Sequence, residues 1–99
     1  MPLEIIFHPK VALDVQEVMN YYERVAGSEL AGEFYDEFLS AVRHAAETPE
    51  AYNLRFRDLR RVNLHRFPFN FLFRVVGKTI RILVLRHHSR KPSFGIRRD

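Results

Sequence analysis

The sequence contains no cysteine among its 99 residues. Disulfide bonds and metal sites built on thiolates are therefore excluded, and the absence suits a reducing cytoplasm. No apolar run approaches the roughly 20 residues that a membrane-spanning helix needs. The first ten residues, MPLEIIFHPK, lack the basic start and the long apolar stretch of a signal peptide. We therefore expect a cytoplasmic protein that does not enter a membrane.

Glycine and proline are also scarce, with four and five residues. No low-complexity tract, internal repeat or linker interrupts the chain, and 46% of its residues are hydrophobic, which is typical of a folded protein. A chain of this length is sufficient for one hydrophobic core. Residues 1–99 are therefore predicted to form a single domain.

Acidic and basic residues are distributed unevenly along the chain. Residues 1–50 carry ten Asp or Glu and three Lys or Arg, whereas residues 51–99 carry thirteen Lys or Arg and two acids. The net charge of +4 thus combines a first half of −7 with a second half of +11. Such segregation places a strong positive field on one part of a small fold. It predicts an anionic partner, either nucleic acid or an acidic protein segment.

The spacing of apolar residues predicts one strand and two helices in the first half. Residues 3–9 (LEIIFHP) form a short apolar run closed by proline, which is typical of a strand. Apolar side chains then recur at helical spacing over residues 10–26 and again over residues 30–45. Gly27 suits the cap between the two helices and Thr48-Pro49 ends the second, so we expect an antiparallel helical hairpin.

Three strands are predicted in the second half, over residues 59–67, 68–76 and 79–86. The second of them alternates most clearly, and Gly77-Lys78 suits a two-residue turn that sets the register of the last pair. The side chains expected to face the helices are Phe69, Phe71, Phe73, Ile80, Ile82 and Val84. The predicted fold is α+β in the order β-α-α-β-β-β, with the helical hairpin packed on one face of an antiparallel sheet.

The opposite face of this predicted sheet combines arginines with leucines. The register places Phe71 opposite Val84 and Arg74 opposite Arg81, and two opposed arginines are tolerated when both are solvated or share an anion. Beside them lie Leu72, Leu83 and Leu85, an apolar set that is unusual for a fully exposed face. We therefore expect a partner to cover part of this face.

The last predicted strand leads directly into a cationic segment, Arg86-His87-His88-Ser89-Arg90-Lys91. Histidine titrates near neutral pH, and arginine can hold phosphate through paired hydrogen bonds. Metal-free cleavage of RNA at a 2′-hydroxyl needs a base, an acid and cations, which these residue types could supply. No carboxylate accompanies the histidines, so no metal site is predicted.

Alternation along the strand restricts how the two histidines can be used. Adjacent strand residues point to opposite faces, so only one histidine can share the face of Arg74 and Arg81. The register above selects His87, although a bulge at the strand end would exchange it for His88.

The chain resembles the RelE/ParE superfamily, the toxins of type II toxin–antitoxin (plasmid stabilisation) modules, over nearly its whole length. The resemblance rests on residues 44–56 (HAAETPEAYNLRF), on residues 60–92 (RRVNLHRFPFNFLFRVVGKTIRILVLRHHSRKP) and on the order of the elements. The alternating aromatic residues after Phe67-Pro68 and the Val-Leu ending of the last strand are typical of the ParE-like branch.

The resemblance implies a cytoplasmic growth inhibitor that needs no cofactor and is held inactive by a cognate antitoxin with an acidic segment. ParE-like members poison DNA gyrase and have no known hydrolytic site, whereas RelE-like members enter the ribosome and cleave mRNA. The long helical hairpin favours a ParE-like gyrase inhibitor. The His- and Arg-rich end of the last strand leaves a metal-free mRNA endonuclease as the alternative. A homodimer and a toxin–antitoxin hetero-oligomer are both compatible with the resemblance.

Two sets of candidate site residues follow. If the chain cleaves RNA, the expected catalytic residues are Arg86, His87 and His88, although the tyrosine that RelE-like nucleases commonly carry after the last strand is replaced here by Ser89 and Phe94. The residues expected to bind the target or the antitoxin are Arg60, Arg61, Leu72, Arg74, Arg81, Leu83, Leu85, Arg90 and Lys91. Phe94 is expected to anchor the chain end on the body and to hold the cationic cluster in place near Arg60 and Arg61.

Overall fold

A computed structural model describes residues 2–98. Two α-helices lie on one face of a five-stranded sheet. The elements, in chain order, are β1 (Glu4–Phe7), α1 (Val11–Ala26), α2 (Ser28–Glu47), a 3-10 turn (Pro49–Ala51), β2 (Leu54–Phe56), β3 (Leu59–Asn63), β4 (Phe69–Val76) and β5 (Thr79–His87). None of the helices described in residues 2–98 is long and apolar enough to cross a membrane.

The helical hairpin forms as its sequence predicts. The chain reverses at Gly27, whose φ of 94° is a conformation that residues with a side chain rarely adopt. Helix α1 buries Val11, Val15 and Val18, and α2 buries a longer stripe that includes Phe34 and Phe38. These two stripes face the sheet, so the hairpin is positioned by hydrophobic burial.

The sheet differs from the prediction at both of its edges. Its strand order is β1-β5-β4-β3-β2, with β1 parallel to β5 and the remaining neighbours antiparallel. The prediction of a purely antiparallel sheet is therefore wrong for β1. Strand β2, which is not among the predicted strands, adds a short second edge. The expected central strands, β4 and β5, are confirmed.

A bulge in β5 changes which residues face the helices. The pairs Arg74 with Arg81 and Phe73 with Ile82 form as predicted, but the register then shifts, so that Phe71 pairs with Leu85. After the shift, every side chain of β5 points to the face opposite to the one predicted for it. The assignment of Val84 to the helix-facing core is therefore wrong, and so is the assignment of Leu85 to the opposite face.

The core between helices and sheet contains five of the six residues predicted for it. Phe71, Phe73, Ile80 and Ile82 are completely buried, and the half-buried Phe69 packs against them. Aromatic rings meet edge to face in this core, as between Phe38 and Phe71, whose centroids lie 5.6 Å apart. Leu85 occupies the place expected for Val84.

The opposite face of the sheet is covered by the C-terminal segment, which we define as residues 92–98. Leu59, Leu72, Leu83 and Val84 form a second buried cluster, and Phe94 and Ile96 of the C-terminal segment pack against it. The expectation that Phe94 anchors the chain end is confirmed. The expectation that Leu72 and Leu83 form an open surface for a partner is wrong, because the chain covers them itself.

Arg98 holds the C-terminal segment against α1 and the bulge. Arg98 donates to both carboxylate oxygens of Asp14 in α1, at 2.6 and 3.2 Å, and to the carbonyl of Leu83 at 3.0 Å. Asp14 also accepts the amide of Leu85 at 3.1 Å. The partly buried Asp14–Arg98 pair thus supplies hydrogen-bond partners for two backbone groups next to the bulge.

Candidate functional site

Arg86 is at the centre of the predicted cationic cluster, but its guanidinium is committed to the fold. The residue is only 7% exposed. Its Nη1 donates to the carbonyls of Pro92 and Phe94, at 2.8 and 2.9 Å, and its Nε donates to the side-chain oxygen of Asn70 at 3.1 Å. Arg86 therefore fastens the C-terminal segment to the sheet, and these bonds leave it few donors for a ligand.

Asn70 connects Arg86 to His88. Because the Asn70 side-chain oxygen accepts from Arg86, its amide nitrogen faces His88 and donates to Nδ1 at 3.0 Å. Arg61 places Nη2 3.4 Å from the same Nδ1 atom. Both neighbours are donors, so Nδ1 must accept and His88 is neutral in this arrangement, with its proton on Nε2.

The electrostatic surroundings agree with a neutral His88. Its pKa is lowered, first by burial and then by the charge of Arg61 and by His87. The pKa of Arg86 is also lowered, mainly by burial and further by Arg61. Arg61 is thus the cation that acts on both side chains. It is half-buried, and its Nε donates to Asn63 at 2.8 Å.

A basic cleft of about 430 Å³ opens beside this cluster. Arg55, Arg61 and Arg86 supply its charge, and its apolar lining includes Phe56 and Ile96. None of the described residues that line it is acidic. Phe56 is 44% exposed, so an aromatic or aliphatic group could pack on its ring while Arg55 and Arg61 bind an anion. We call this site the basic cleft.

His87 lies on the other side of the sheet from the basic cleft. The β5 bulge turns it towards α1, where its ring meets Phe69 edge to face at 5.2 Å. Its Nδ1 accepts the amide of Ser89 at 3.0 Å. A small depression there is lined by Asp14, Glu17 and Arg90 as well. The bulge therefore gives His88, rather than His87, the position beside the predicted arginines.

The structure separates the remaining predicted site residues. Arg60 points to the helix side and donates to the carbonyl of Tyr52 at 2.6 Å, so it does not join Arg61. Arg74 and Arg81 face each other near the β4–β5 turn, four residues along β4 from Asn70, which is roughly 13 Å. Arg74 contacts Asp58 at 3.3 Å, without hydrogen-bond geometry at its Nε.

Two further cations flank the cluster on the C-terminal side. The guanidinium of Arg90 lies over the Phe94 ring, 4.6 Å from its centroid. Lys91 is exposed, and its carbonyl lies 3.4 Å from Nη1 of Arg86. Of the cationic cluster that was expected near Arg60 and Arg61, Arg86 and His88 lie beside Arg61, whereas Arg90 lines the depression at His87.

Sequence reasoning missed three residues of the site. Asn70 is 1% exposed, and its side-chain amide donates the hydrogen bond that keeps Nδ1 of His88 an acceptor. The sequence did contain a signal for Asn70, because it is a polar residue between the aromatic residues of β4. A buried strand tolerates such a residue only when its side-chain amide is hydrogen-bonded. Arg55 and Phe56 lie in β2, a three-residue strand too short for its alternation to be recognised.

Nothing in residues 2–98 groups three or more His, Asp or Glu side chains in a way that could hold a metal ion. The described site offers cations, one neutral imidazole and an apolar floor. This is an arrangement for binding an anion.

Comparison with solved structures identifies the architecture. A chain of the chromosomal ParDE TA system from P. aeruginosa is similar with a TM-score of 0.77 and 24% identity, over 86% of this chain and 95% of that chain. A mutant of the E. coli toxin RelE in the free state is similar with a TM-score of 0.60 and 14% identity, over 90% and 86%. The same mutant bound to a peptide of the antitoxin RelB is similar with a TM-score of 0.51 and 16% identity, over 85% of this chain and 80% of that chain. At such identities the similarity establishes the fold.

The sequence comparison goes further. No curated protein matches this chain. A family model described as the ParE toxin of the type II toxin–antitoxin system parDE, however, matches residues 5–92. That match includes both helices, strands β2 to β5, all but the first residue of β1 and the cationic end of β5. The chain therefore belongs to the ParE toxin family of type II toxin–antitoxin systems.

Proposed function

We propose that this chain inhibits DNA gyrase through the basic cleft and that a cognate antitoxin with an acidic segment neutralises it. The family supports a toxin of the ParE kind, and the cleft supports a docking surface for an anionic partner. Arg55 and Arg61, which line the cleft, are the cations that would make the contact. Arg74 and Arg81 lie farther along the same face and would extend it.

The observation that carries this proposal is the hydrogen bonding of Arg86 and His88. A nuclease needs a base that can accept the 2′-hydroxyl proton and a cation free to stabilise the phosphorane. Here the accepting atom of His88, Nδ1, already faces two donors, and Arg86 is fastened to backbone carbonyls. The arrangement is suited to binding.

Charge also explains how target and antitoxin would compete. An acidic antitoxin segment and a polyanionic target complex would both be attracted to the basic cleft, and exposed cations mainly accelerate association. We therefore expect antitoxin binding to weaken as salt rises. Reversing the cleft arginines should slow association more than it speeds release.

Expression in a host without the antitoxin tests the proposal. The informative variant is the double change Arg55→Glu and Arg61→Glu, and the matched control is Arg24→Glu with Arg43→Glu, two exposed arginines on the helices with the same charge change. We expect wild type and control to arrest growth and to induce an SOS reporter, because a gyrase poison causes DNA breaks. The cleft variant should do neither while remaining folded. Full toxicity of a folded cleft variant would contradict the proposal.

One observation makes a second function worth testing: neutral His88 lies beside Arg61, which lines the basic cleft. If the chain is a metal-free mRNA endonuclease, His88→Ala alone should lower cleavage by ~10²–10⁴-fold. Translation would then stop without prior SOS induction. On the gyrase proposal, His88→Ala and His87→Ala should each leave most of the toxicity.

A further inference from the structure

Strand β1 is an edge strand with one open side. Its amides at Glu4 and His8 bond to the carbonyls of Lys78 and Ile82 beside β5, at 3.0 and 2.8 Å. In a parallel ladder alternate residues bond the same neighbour, so Ile5 and Phe7 direct their N–H and C=O groups away from β5. Leu3 also points outward, but its amide is taken by the Ala46 carbonyl of α2 at 3.0 Å. The open part of the edge is therefore residues 4–8.

We propose that two copies of this chain pair through β1, antiparallel about a two-fold axis at Ile6. This register places Ile5 opposite Phe7 of the partner subunit, and Phe7 opposite Ile5 of the partner subunit. Each such pair exchanges two backbone hydrogen bonds, so all four outward groups on each copy are satisfied. The two five-stranded sheets become one ten-stranded sheet. This inference does not depend on the target of the toxin.

The side chains of β1 are complementary to themselves in this register. Glu4 lies opposite His8 of the partner subunit, and the amide of Lys10 already occupies Nδ1 of His8, which leaves Nε2 to donate. Ile6 is 38% exposed and meets Ile6 of the partner subunit across the axis. A register moved by one residue would lose both the Glu4–His8 pair and the Ile6–Ile6 pair.

An apolar groove along the same edge gives the pairing hydrophobic surface to bury. The groove holds about 420 Å³ between β1, α1 and α2 and is lined by Phe7, Val15, Met19, Tyr35, Phe38 and Leu39, among others. A two-fold axis perpendicular to the sheet keeps the helices of both copies on one side. Ile5 of the partner subunit is then placed beside Phe7, which is 41% exposed, at the groove.

The other edge of the sheet does not suit self-pairing. Strand β2 has three residues, and Arg55 and Arg57 lie on either side of its exposed Phe56. Arg57 has a φ of 53°, which ends the extended conformation. Cationic residues and irregular backbone are the features by which edge strands avoid pairing. Strand β1 has neither between Glu4 and Phe7.

Cysteine cross-linking tests the register directly, because the chain has no cysteine of its own. Ile6 and its counterpart form a non-hydrogen-bonded pair with Cα atoms about 4.5 Å apart, within the range that a disulfide spans. Under mild oxidation Ile6→Cys should convert almost completely to a disulfide-linked dimer. The matched controls are Leu13→Cys on α1 and Leu54→Cys on β2, which are 66% and 55% exposed and should stay mainly monomeric. Equal cross-linking of all three variants would overturn the proposal.

Sedimentation of the unmodified chain and of a charge variant gives an independent answer. Ile6→Glu sets two acids against each other at the axis but lies beside Arg81 within its own sheet, so the monomer should stay folded. We expect it to raise the dissociation constant of the dimer by at least about tenfold. Ile6→Thr, which adds no charge, should have a smaller effect. A wild-type chain that remains monomeric at high concentration refutes the proposal.

Amide exchange identifies what occupies the edge. In the dimer the amides of Ile5 and Phe7 should exchange about as slowly as those of Ile6 and His8, which β5 protects. Protection that appears only after another protein is added would assign the edge to that protein and overturn self-pairing.

Discussion

Replacing Asp14 with asparagine tests how the C-terminal segment is held. Asp14 and Arg98 form an ion pair of 2.6 Å with side chains 13% and 14% exposed. The substitution keeps the shape and an oxygen that can accept the amide of Leu85. It removes the charge that compensates Arg98. Arg98 must then remain buried without a counter-charge or leave, and the C-terminal segment with it.

The size of the effect follows from the burial of the pair. Removing one partner of a buried ion pair costs ~3–5 kcal/mol of folding stability. Here the C-terminal segment can detach and bring Arg98 into solvent, so we expect a smaller loss of roughly 2–3 kcal/mol. For a domain of this size that corresponds to a fall in melting temperature of roughly 10–20 °C. Asp36→Asn, an equal charge change at an exposed position of α2, should have little effect.

Thermal melting and trypsin digestion together measure the result. Trypsin can cut after Arg90 and Arg97, and both sites should be cleaved faster in Asp14→Asn than in the control. Arg98→Met should destabilise as well, and the double variant should lose less than the sum of the two, as expected for residues in contact. Unchanged melting and digestion of Asp14→Asn would refute the assigned role of the pair.

The remaining predictions concern the core, the C-terminal segment and pH. Phe71 is completely buried, so Phe71→Ala should cost ~3–5 kcal/mol in urea unfolding, and a change of a degree or two in melting temperature would contradict the core assignment. A Cβ at Gly95 would lie 2.6 Å from Val84 at a φ of 81°, so Gly95→Ala should expose the C-terminal segment to trypsin, whereas Gly32→Ala, with open space around it, should not. The pKa of His88 is lowered in the folded chain, first by burial and then by Arg61. The unfolded chain therefore protonates this histidine more readily than the folded chain, so stability should be lost as pH falls below ~6.5. His88→Gln should therefore lose less stability than wild type on acidification, and equal losses would contradict the assigned environment.

The elements that rest on long apolar periodicity could be predicted from the sequence. Both helices, the turn at Gly27 and the pairing of β4 with β5 near Gly77 follow from local patterns, and the structure confirms them. The bulge in β5 could not be predicted in the same way, because it depends on Asp14 and Arg98, which are 84 residues apart. One extra residue in the ladder exchanged the faces of every residue after it.

The site was predicted in composition more than in geometry. Arg61, Arg86 and His88 do meet, but which histidine joins the arginines depends on the same bulge. The sequence also could not reveal that Arg86 donates its hydrogen bonds to the carbonyls of Pro92 and Phe94, because these contacts need the folded C-terminal segment. A cationic side chain next to a strand end can bind a ligand or form hydrogen bonds within the protein, and only the structure distinguishes the two roles.

The most direct test of the account is the effect of the purified chain on DNA gyrase. Supercoiling by gyrase should be inhibited, and cleaved DNA should accumulate, with wild type and with His88→Ala. The Arg55→Glu, Arg61→Glu double variant should have little effect when circular dichroism shows it folded. Inhibition that disappears with His88→Ala, or that persists undiminished in the folded double variant, would contradict the claim that this toxin acts by binding through its basic cleft.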